Sequence, residues 1–286
     1  MEFSKFKATQ NDDGRTLLKV LSRYFEAIPA SRIERIFRKN DVKINNNRKV
    51  SKTTIVNMGD EIMVYGISKT EAHQTNNDLD FKSVEIKFKN VYEDENILVV
   101  DKPINIAMHS EDNSLDMQVL KYLKFKKVDS FVPSHIGRLD KEVSGLVVYA
   151  KNLKTQKQLE RQNTLTKIYM FKSDFNVEKQ VVSGYIYKNE AKKKMSFSKK
   201  FVEGSKPFET ILYIEKKRKF AQITTGRKHQ IRLSLSAINC PIWGDRKYGG
   251  KKHERLMLHS YIVKFDKLRD ELAYLNKSEF VSEPKW

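Results

Sequence analysis

Three short segments of the 286-residue chain combine side chains that can do chemistry with residues that would let a substrate reach them. The first runs Pro133-Ser134-His135-Ile136-Gly137-Arg138-Leu139-Asp140-Lys141-Glu142-Val143-Ser144-Gly145. Two glycines and a small hydroxyl surround a carboxylate there, and the apolar stretch Leu146 to Tyr149 follows at once. Glycine permits close backbone approach or a positive φ, so a substrate can come near Asp140. A carboxylate so placed can attack a carbon centre and leave again. The commoner role of an isolated Gly-Arg-Leu-Asp is a turn whose Asp accepts from local backbone N–H groups, and the residues alone leave both readings open.

The second segment, Lys167-Ile168-Tyr169-Met170-Phe171, alternates as a strand. Tyr169 offers a π face and a phenol, or is an ordinary half-buried sheet aromatic. The third, Thr225-Gly226-Arg227-Lys228-His229-Gln230-Ile231-Arg232, opens a helix in which Ile231, Leu235 and Ile238 face inward and leave Arg232 to point elsewhere. A surface ion pair is the default for such an arginine. No metal chemistry is expected. The six histidines show no paired ligand spacing, and Cys240 is the only cysteine, so it reads as a small apolar packing group beside Pro241.

These segments need a scaffold, and the chain divides into two parts with a seam between them. Residues 15–66 form a small unit after an extension at 1–14. Leu17, Leu18, Leu21, Tyr24 and Phe25 recur at helical spacing. A second helix is expected from Ser31, where Ser31-Arg32-Ile33-Glu34 has the form of a capping box. Val42 and Ile44 lead into Asn45-Asn46-Asn47 as a hairpin, and Met58-Gly59-Asp60 turns into the alternating strand Glu61-Ile62-Met63-Val64-Tyr65. Residues 67–83 are polar and read as a linker. In residues 84–286, Val84-Ile86-Phe88 alternate as a strand. Val91-Tyr92 and Ile97 to Val100 flank an acidic turn, Leu115 to Leu123 suggest a helix, and strands at 209–215 and 219–225 enclose Lys216-Lys217-Arg218. Lys192-Lys193-Lys194 is a loop-like basic patch. Many hairpins with few βαβ units predict an α+β fold with a mixed, mainly antiparallel sheet.

Charge narrows the function. Lys and Arg number 55 against 36 Asp and Glu, a net +19 that a folded protein tolerates most easily beside a polyanion. Between Arg15 and Lys52 stand eleven Lys or Arg against Glu26, Glu34 and Asp41. That one-sided excess, with Arg32, Arg35, Arg38 and Lys39 on the outer side of a short helix and Arg15 and Lys43 nearby, favours an RNA-backbone platform over a merely solvated face. No run of about 18 apolar residues appears, and the first residues lack the apolar core of a signal peptide, so a cytoplasmic protein is expected.

Two resemblances sharpen this. Gly14-Arg15-Thr16-Leu17-Leu18, Ser31-Arg32-Ile33, Val42-Lys43-Ile44-Asn45 and Met58-Gly59-Asp60-Glu61-Ile62 together resemble the S4 RNA-binding domain. The segment around Asp140 resembles the signature loop of RluA-type pseudouridine synthases, His-Arg-Leu-Asp-x-x-Thr-Ser-Gly-Leu. Tyr92 to Pro103, Lys167-Ile168-Tyr169, Thr225 to Arg232 with Pro241-Ile242-Trp243-Gly244-Asp245 and Tyr248-Gly249, and Leu256-Met257-Leu258-His259-Ser260 resemble further blocks of that family in the same order. The likeness spans roughly residues 85–265. Gly137 departs from the family's usual His, with His135 two residues earlier, while Val143 and Lys228 each stand for a common Thr.

The resemblance implies an enzyme that isomerises uridines in large-subunit ribosomal RNA; because the base never leaves, that reaction needs no cofactor, and nothing in the sequence demands an oligomer, so a monomer is expected. Asp140 is the implied nucleophile, attacking C1′ or adding to C6, with Arg232 favouring its charged form. Tyr169 is implied to stack on the uracil and to receive the proton lost from C5. Arg138 would fill the gap left by a flipped-out nucleotide. Leu139, Lys167, Arg227, His229, Gln230 and Ile231 would shape the pocket and its RNA contacts. The competing class is a non-catalytic RNA-binding or ribosome-assembly factor, which the joint presence of Asp140, Tyr169 and Arg232 argues against. A glycoside hydrolase would need two carboxylates about one bond, and no second one is placed for that.

Overall fold

The computed structural model describes residues 2–68, 81–191 and 193–286. Most of the stretch expected as a linker, residues 69–80, and Lys192 of the basic patch lie outside the described residues. Two compact units emerge, and no single cut in the chain separates them. Residues 119–133 and 152–154 group with the first 84, and the rest forms the second unit.

In the first unit the elements run β1 (Phe3–Lys7), β2 (Arg15–Thr16), α1 (Leu17–Tyr24), α2 (Ala30–Arg38), β3 (Val42–Ile44), β4 (Ile55–Val56) and β5 (Glu61–Tyr65). The alternation of β5 makes it the middle of a three-stranded antiparallel sheet, order β1-β5-β3. Its Ile62 and Val64 pack with Leu17, Leu21 and Phe25 of the first helix region and Ile33 and Ile36 of α2. Residues 119–133 complete this unit through polar contacts. Asp129 accepts from Thr9 Oγ1 (2.7 Å) and Asn11 Nδ2 (2.8 Å), and the Arg15 guanidinium donates to Ser130.

Three local expectations fail here for identifiable reasons. α2 begins at Ala30 after Pro29, so Ser31 lies inside the helix, caps nothing, and Glu34 pairs with Lys52 instead. Asn45-Asn46-Asn47 does turn the chain, but β3 pairs with β5 rather than with the residues after the turn. The stretch expected as an N-terminal extension supplies β1, a sheet strand.

The second unit contains β6 (Lys89–Glu93), β7 (Ile97–Lys102), α3 (Leu115–Tyr122, whose last turn groups with the first unit), β8 (Ser134–His135), β9 (Ser144–Ala150) and α4 (Leu153–Leu159). After these come β10 (Leu165–Phe171), β11 (Lys179–Asn189), β12 (Lys194–Ser198), β13 (Lys206–Glu215), β14 (Arg218–Ile223), α5 (Gln230–Ala237), β15 (Leu258–Phe265) and β16 (Glu279–Val281). One eleven-stranded sheet dominates, in the order β12-β11-β13-β14-β10-β15-β9-β7-β6, with β16 on β15 and β8 on β9. Every pairing in it is antiparallel except β15 with β9, so the fold is a mixed, mainly antiparallel α+β sheet. That parallel contact joins only His259 to Ser144 and Ser260 to Gly145. Gly145 sits there at φ +110° with the Ser260 carbonyl 2.3 Å from where a Cβ would stand, so no other residue fits. Val84-Ile86-Phe88 form no strand: the Glu85 and Lys87 amides donate to the side chains of Asn113 and Gln118 (3.0 and 2.9 Å), which takes the N–H groups a ladder would need. Among the described residues no helix is long and apolar enough to cross a membrane.

Candidate active site

Asp140 lies in the loop between β8 and β9, where Val143 N–H donates to its carbonyl and closes a turn (3.0 Å). Its side chain is not spent on that turn. Oδ2 accepts from Arg232 Nη1 at 2.8 Å, across 92 residues of sequence. Arg232 stands on α5, a helix whose first two turns are buried all round, so the arginine points into the site and not to solvent. Its Nε and Nη2 grip Asp245 at 2.8 and 2.9 Å in a two-point fork. Asp245 in turn accepts from the Lys247 and Tyr248 amides (3.1 Å each). Burial opposes the charge on Arg232, but Asp245 first and Asp140 second outweigh it and hold the guanidinium protonated beyond its ordinary range. Arg232 is therefore a fixed cation with one face for structure and one for Asp140.

A pocket opens beside this pair, lined by Arg138, Leu139, Asp140, Lys167, Tyr169, Arg227, His229, Gln230, Ile231 and Arg232, with Gly137, Val143, Ile223, Gly226 and Leu258. Every catalytic or substrate-contacting residue expected from the sequence is thus at one place. Their environments differ. Arg138 is exposed at the rim, whereas Leu139 and Ile231 are buried apolar wall. Tyr169 is buried, which raises its phenol above the ordinary range; Asp140 adds to the rise and Ser260 opposes it. A neutral phenol suits stacking on a base, and its resting form is no phenolate.

Lys167 donates to the Ile136 carbonyl at 2.6 Å, and burial brings its ammonium down to about 8. Its Nζ stands 2.6 Å from where a Cβ on Gly137 would be, at φ +77°. Glycine at 137 is therefore a fit to this lysine. His229 opens α5 in the left-handed region at φ 59°. Its Nδ1 meets Tyr248 Oη at 2.7 Å and its Nε2 lies 3.6 Å from Asp140 Oδ2. Burial lowers the imidazole to about 4, with Asp140 opposing and Arg232 reinforcing, so it is neutral near pH 7.

Gln230 needs a change of role. Its amide accepts from Thr225 Oγ1 (2.9 Å) and Arg227 N (3.1 Å) and donates to Glu209 O (2.8 Å) and Thr210 Oγ1 (3.1 Å). With that capacity used, it shapes the loop before α5. Arg227 reaches Pro207 O at 3.1 Å from the same loop.

Three functional features escaped the sequence reading. Asp245 closes the Pro241-Ile242-Trp243-Gly244-Asp245 stretch, and only its fork on Arg232 gives it a role. Lys102, fully buried, donates to the carbonyls of Pro103 and Ile106 (2.9 Å each) and Lys141 (3.3 Å), pinning the backbone next to Asp140. Burial lowers its ammonium to about 7, with Asp140 opposing. Arg246 and Lys247 line an outer cleft with His109, Arg138 and Asp140, and their adjacency to Asp245 was the available signal.

The basic residues expected on the first unit divide. Arg35, Arg38 and Lys39 are exposed on one side of α2 and its end. Arg32 donates to Gly66 O (2.7 Å), Lys43 to Asn46 Oδ1 (2.9 Å), and Arg15 is half-buried against Ser130, with burial lowering its guanidinium. These three hold local structure. Among the described residues no group of His, Cys, Asp and Glu is arranged to hold a metal ion.

An antiparallel-rich sheet carrying an Asp–Arg pair in a tyrosine-walled pocket describes a class, and comparisons with known proteins give the family. The sequence model of the RNA pseudouridylate synthase family matches residues 96–237. An uncharacterized RNA pseudouridine synthase of Mycoplasma capricolum is 35% identical over 99% of this chain and 98% of its own length. Ribosomal large subunit pseudouridine synthase C of Pasteurella multocida is 28% identical, covering 90% of this chain and 84% of that one. Among solved structures, human RNA pseudouridylate synthase domain containing 1 superposes with a TM-score of 0.52 at 22% identity, over 63% of this chain and 79% of the other, a likeness of fold. The chain belongs to the RluA-type RNA pseudouridine synthases.

Proposed function

We propose that this enzyme converts uridines of large-subunit ribosomal RNA to pseudouridine, with Asp140 as nucleophile. The observation that carries the assignment is the Asp140 carboxylate held at 2.8 Å by a buried guanidinium in a pocket walled by Tyr169. The relatives named for large-subunit ribosomal RNA, from Pasteurella multocida and Vibrio cholerae among others, support the choice of substrate.

The reaction is an isomerisation. The C1′–N1 bond breaks, the uracil turns within the pocket, a C1′–C5 bond forms, and the C5 proton is exchanged for one on N1. No other reactant is consumed. Asp140 supplies the electron pair, either to C1′ as N1 leaves or to C6 of the ring, and Arg232 steadies the carboxylate before and after. Tyr169 gives the turning base a flat surface, and its neutral phenol can take the C5 proton only by passing its own proton on in the same step, with N1 of the turned uracil as the final acceptor. Arg138, exposed at the rim, takes the place of the extruded nucleotide. Arg35, Arg38 and Lys39 form the remaining face of an S4-like platform for the RNA backbone. The enzyme acts in the cytoplasm, with the ribosome's RNA.

Asp140→Asn tests the reading directly. Product mapped in ribosomal RNA should vanish, while RNA affinity stays within about 3-fold, since an amide fills the same space. A variant that still forms pseudouridine removes Asp140 from the chemistry.

A further inference from the structure

A second cleft in the catalytic unit is lined by Lys89, Lys285, Arg255, Ser144, His259 and Ser282, among others. It is not the reacting pocket. Across the sheet Met170 pairs with His259, which pairs with Ser144, whereas Tyr169 pairs with Ser260, which pairs with Gly145. Neighbouring residues of a strand point to opposite faces, so Ser144 and His259 face away from Tyr169. Trp286, packed on His259 and on the cluster containing Met170, lies on that same far side.

The floor of the cleft is an ordered chain of hydrogen bonds. The Ser282 carbonyl can only accept, so His259 Nε2 carries the proton (2.8 Å) and Nδ1 accepts from the Ser144 hydroxyl (2.9 Å). Ser144 Oγ is then left to accept from Arg255 Nη2 at 2.7 Å. Arg255 stacks on the Trp286 ring at 5.2 Å and also donates to Leu256 O at 3.3 Å. Among the described residues it makes no close ion pair, the neighbouring Glu254 acting on it only at longer range, although it is half-buried. Lys89 and Lys285 at the rim have no ion pair among the described residues either. Two acids share the cleft, Asp101 and Glu283, and Glu283 is engaged by Arg218 (3.2 Å) and Tyr261 (3.1 Å). Lys102 is spent on three backbone carbonyls. A half-buried, stacked arginine without a close ion pair, flanked by unpaired lysines, matches a phosphate, whose oxygens accept from a planar fork. Burial lowers the Arg255 guanidinium, and an anion would relieve that.

We propose that this cleft seats a phosphodiester of the RNA substrate, so that the enzyme holds a folded RNA on a second face of its sheet as well as at the reacting nucleotide. The inference rests on the RNA-modifying role above and narrows it to substrates large enough to reach both faces.

The test uses full-length protein carrying Lys89→Ala with Lys285→Ala, both exposed, and a ribosomal RNA domain as ligand. Binding is measured by filter retention over a range of KCl. Losing two phosphate contacts should weaken binding by about 10-fold near 0.1 M salt and flatten the logarithmic salt slope by roughly 1.5 to 2. The single-turnover rate at saturating RNA should be unchanged. Amine labelling of wild type should show Lys89 and Lys285 protected by the RNA domain. Unchanged affinity and slope overturn the proposal. So does protection by 10 mM inorganic phosphate but not by RNA, which would make the cleft a small-anion site. The readout is binding and not product, so an RNA that is bound but never modified would count against the proposed reaction and leave the cleft's role to be judged on its own.

Discussion

Arg232→Met separates the two jobs that one guanidinium holds. Asp245 has no exposed side-chain surface, and Arg232 only 5%, so the substitution leaves a buried carboxylate with no counter-charge. Breaking a buried pair from one side costs about 3–5 kcal/mol. For a unit of this size that corresponds to a fall in Tm of about 6–20 °C. The chemistry loses separately. A pair at 2.8 Å in an effective dielectric of about 20 interacts by about 6 kcal/mol before desolvation is deducted. If even half of that acts on the transition state, the rate falls by at least about 100-fold. Adding Asp245→Asn removes the stranded charge and keeps an oxygen for the Lys247 and Tyr248 amides. The double variant should recover most of the lost Tm and none of the lost rate. Thermal unfolding by circular dichroism reads the first quantity, and release of tritium from C5-labelled uridine in RNA reads the second. Recovery of both together would show that Arg232 acts on the fold alone.

Other outcomes follow from the same geometry. His229→Asn, which tolerates the left-handed backbone, should flatten the acid side of the stability curve. The buried neutral imidazole has its value lowered to about 4, so between about pH 4 and 6.5 the unfolded chain binds more protons and wild-type stability falls with falling pH. Equal acid sensitivity in the two proteins would contradict this. Lys167, lowered to about 8, works on the alkaline side: between about pH 8 and 10.5 the unfolded chain again holds more protons, so its contribution to stability rises with pH. Urea unfolding of Lys167→Met against wild type should show that rise missing. Gly137→Ala forces a Cβ against Lys167 at positive φ and should cost about 1–2 kcal/mol, with part of the loss relieved by Lys167→Met; strict additivity of the two would deny the contact. Charge reversal at Arg35, Arg38 and Lys39 should weaken RNA binding and its salt dependence while sparing the saturated rate, measured by filter binding and single turnover.

Much of the site was legible because its residues are local and their types are rare in combination. Leu146 to Tyr149 and Lys167 to Phe171 read as strands because period-two or continuous apolar patterning is a property of the segment itself; Asp140 precedes the first, Tyr169 lies in the second, and Arg232 lies on a helix whose apolar spacing is just as local. What could not be read depended on partners distant in sequence. Asp245 has no visible purpose until α5 brings Arg232 to it. Gln230 sits in a block of pocket residues, yet its amide is consumed by β13 and the preceding loop. At Ser31 the local capping signal was outweighed by Pro29, which supports a helix start one residue earlier with its fixed φ. At residues 84–88 Val84 and Phe88 are buried but Ile86 between them is exposed, and side chains, not a neighbouring strand, take the amides.

The single parallel contact in the great sheet has a mechanical meaning. Backbone pairing joins β9, β7 and β6 to β15 at only two residue pairs, and the apolar cluster of Leu146, Val148, Leu165, Val263 and Phe265, with side-chain bonds from Ser144 to His259 and Arg255, carries the rest of the seam. Asp140 belongs to one side of this seam, while Tyr169, His229 and Arg232 belong to the other. Packing at Val263 and Leu146 thus helps hold together the two sides from which the pocket's walls are drawn. A methyl group trimmed from that cluster would loosen the joint at a cost of about 1 kcal/mol, which the melting curve would register as about 2–4 °C.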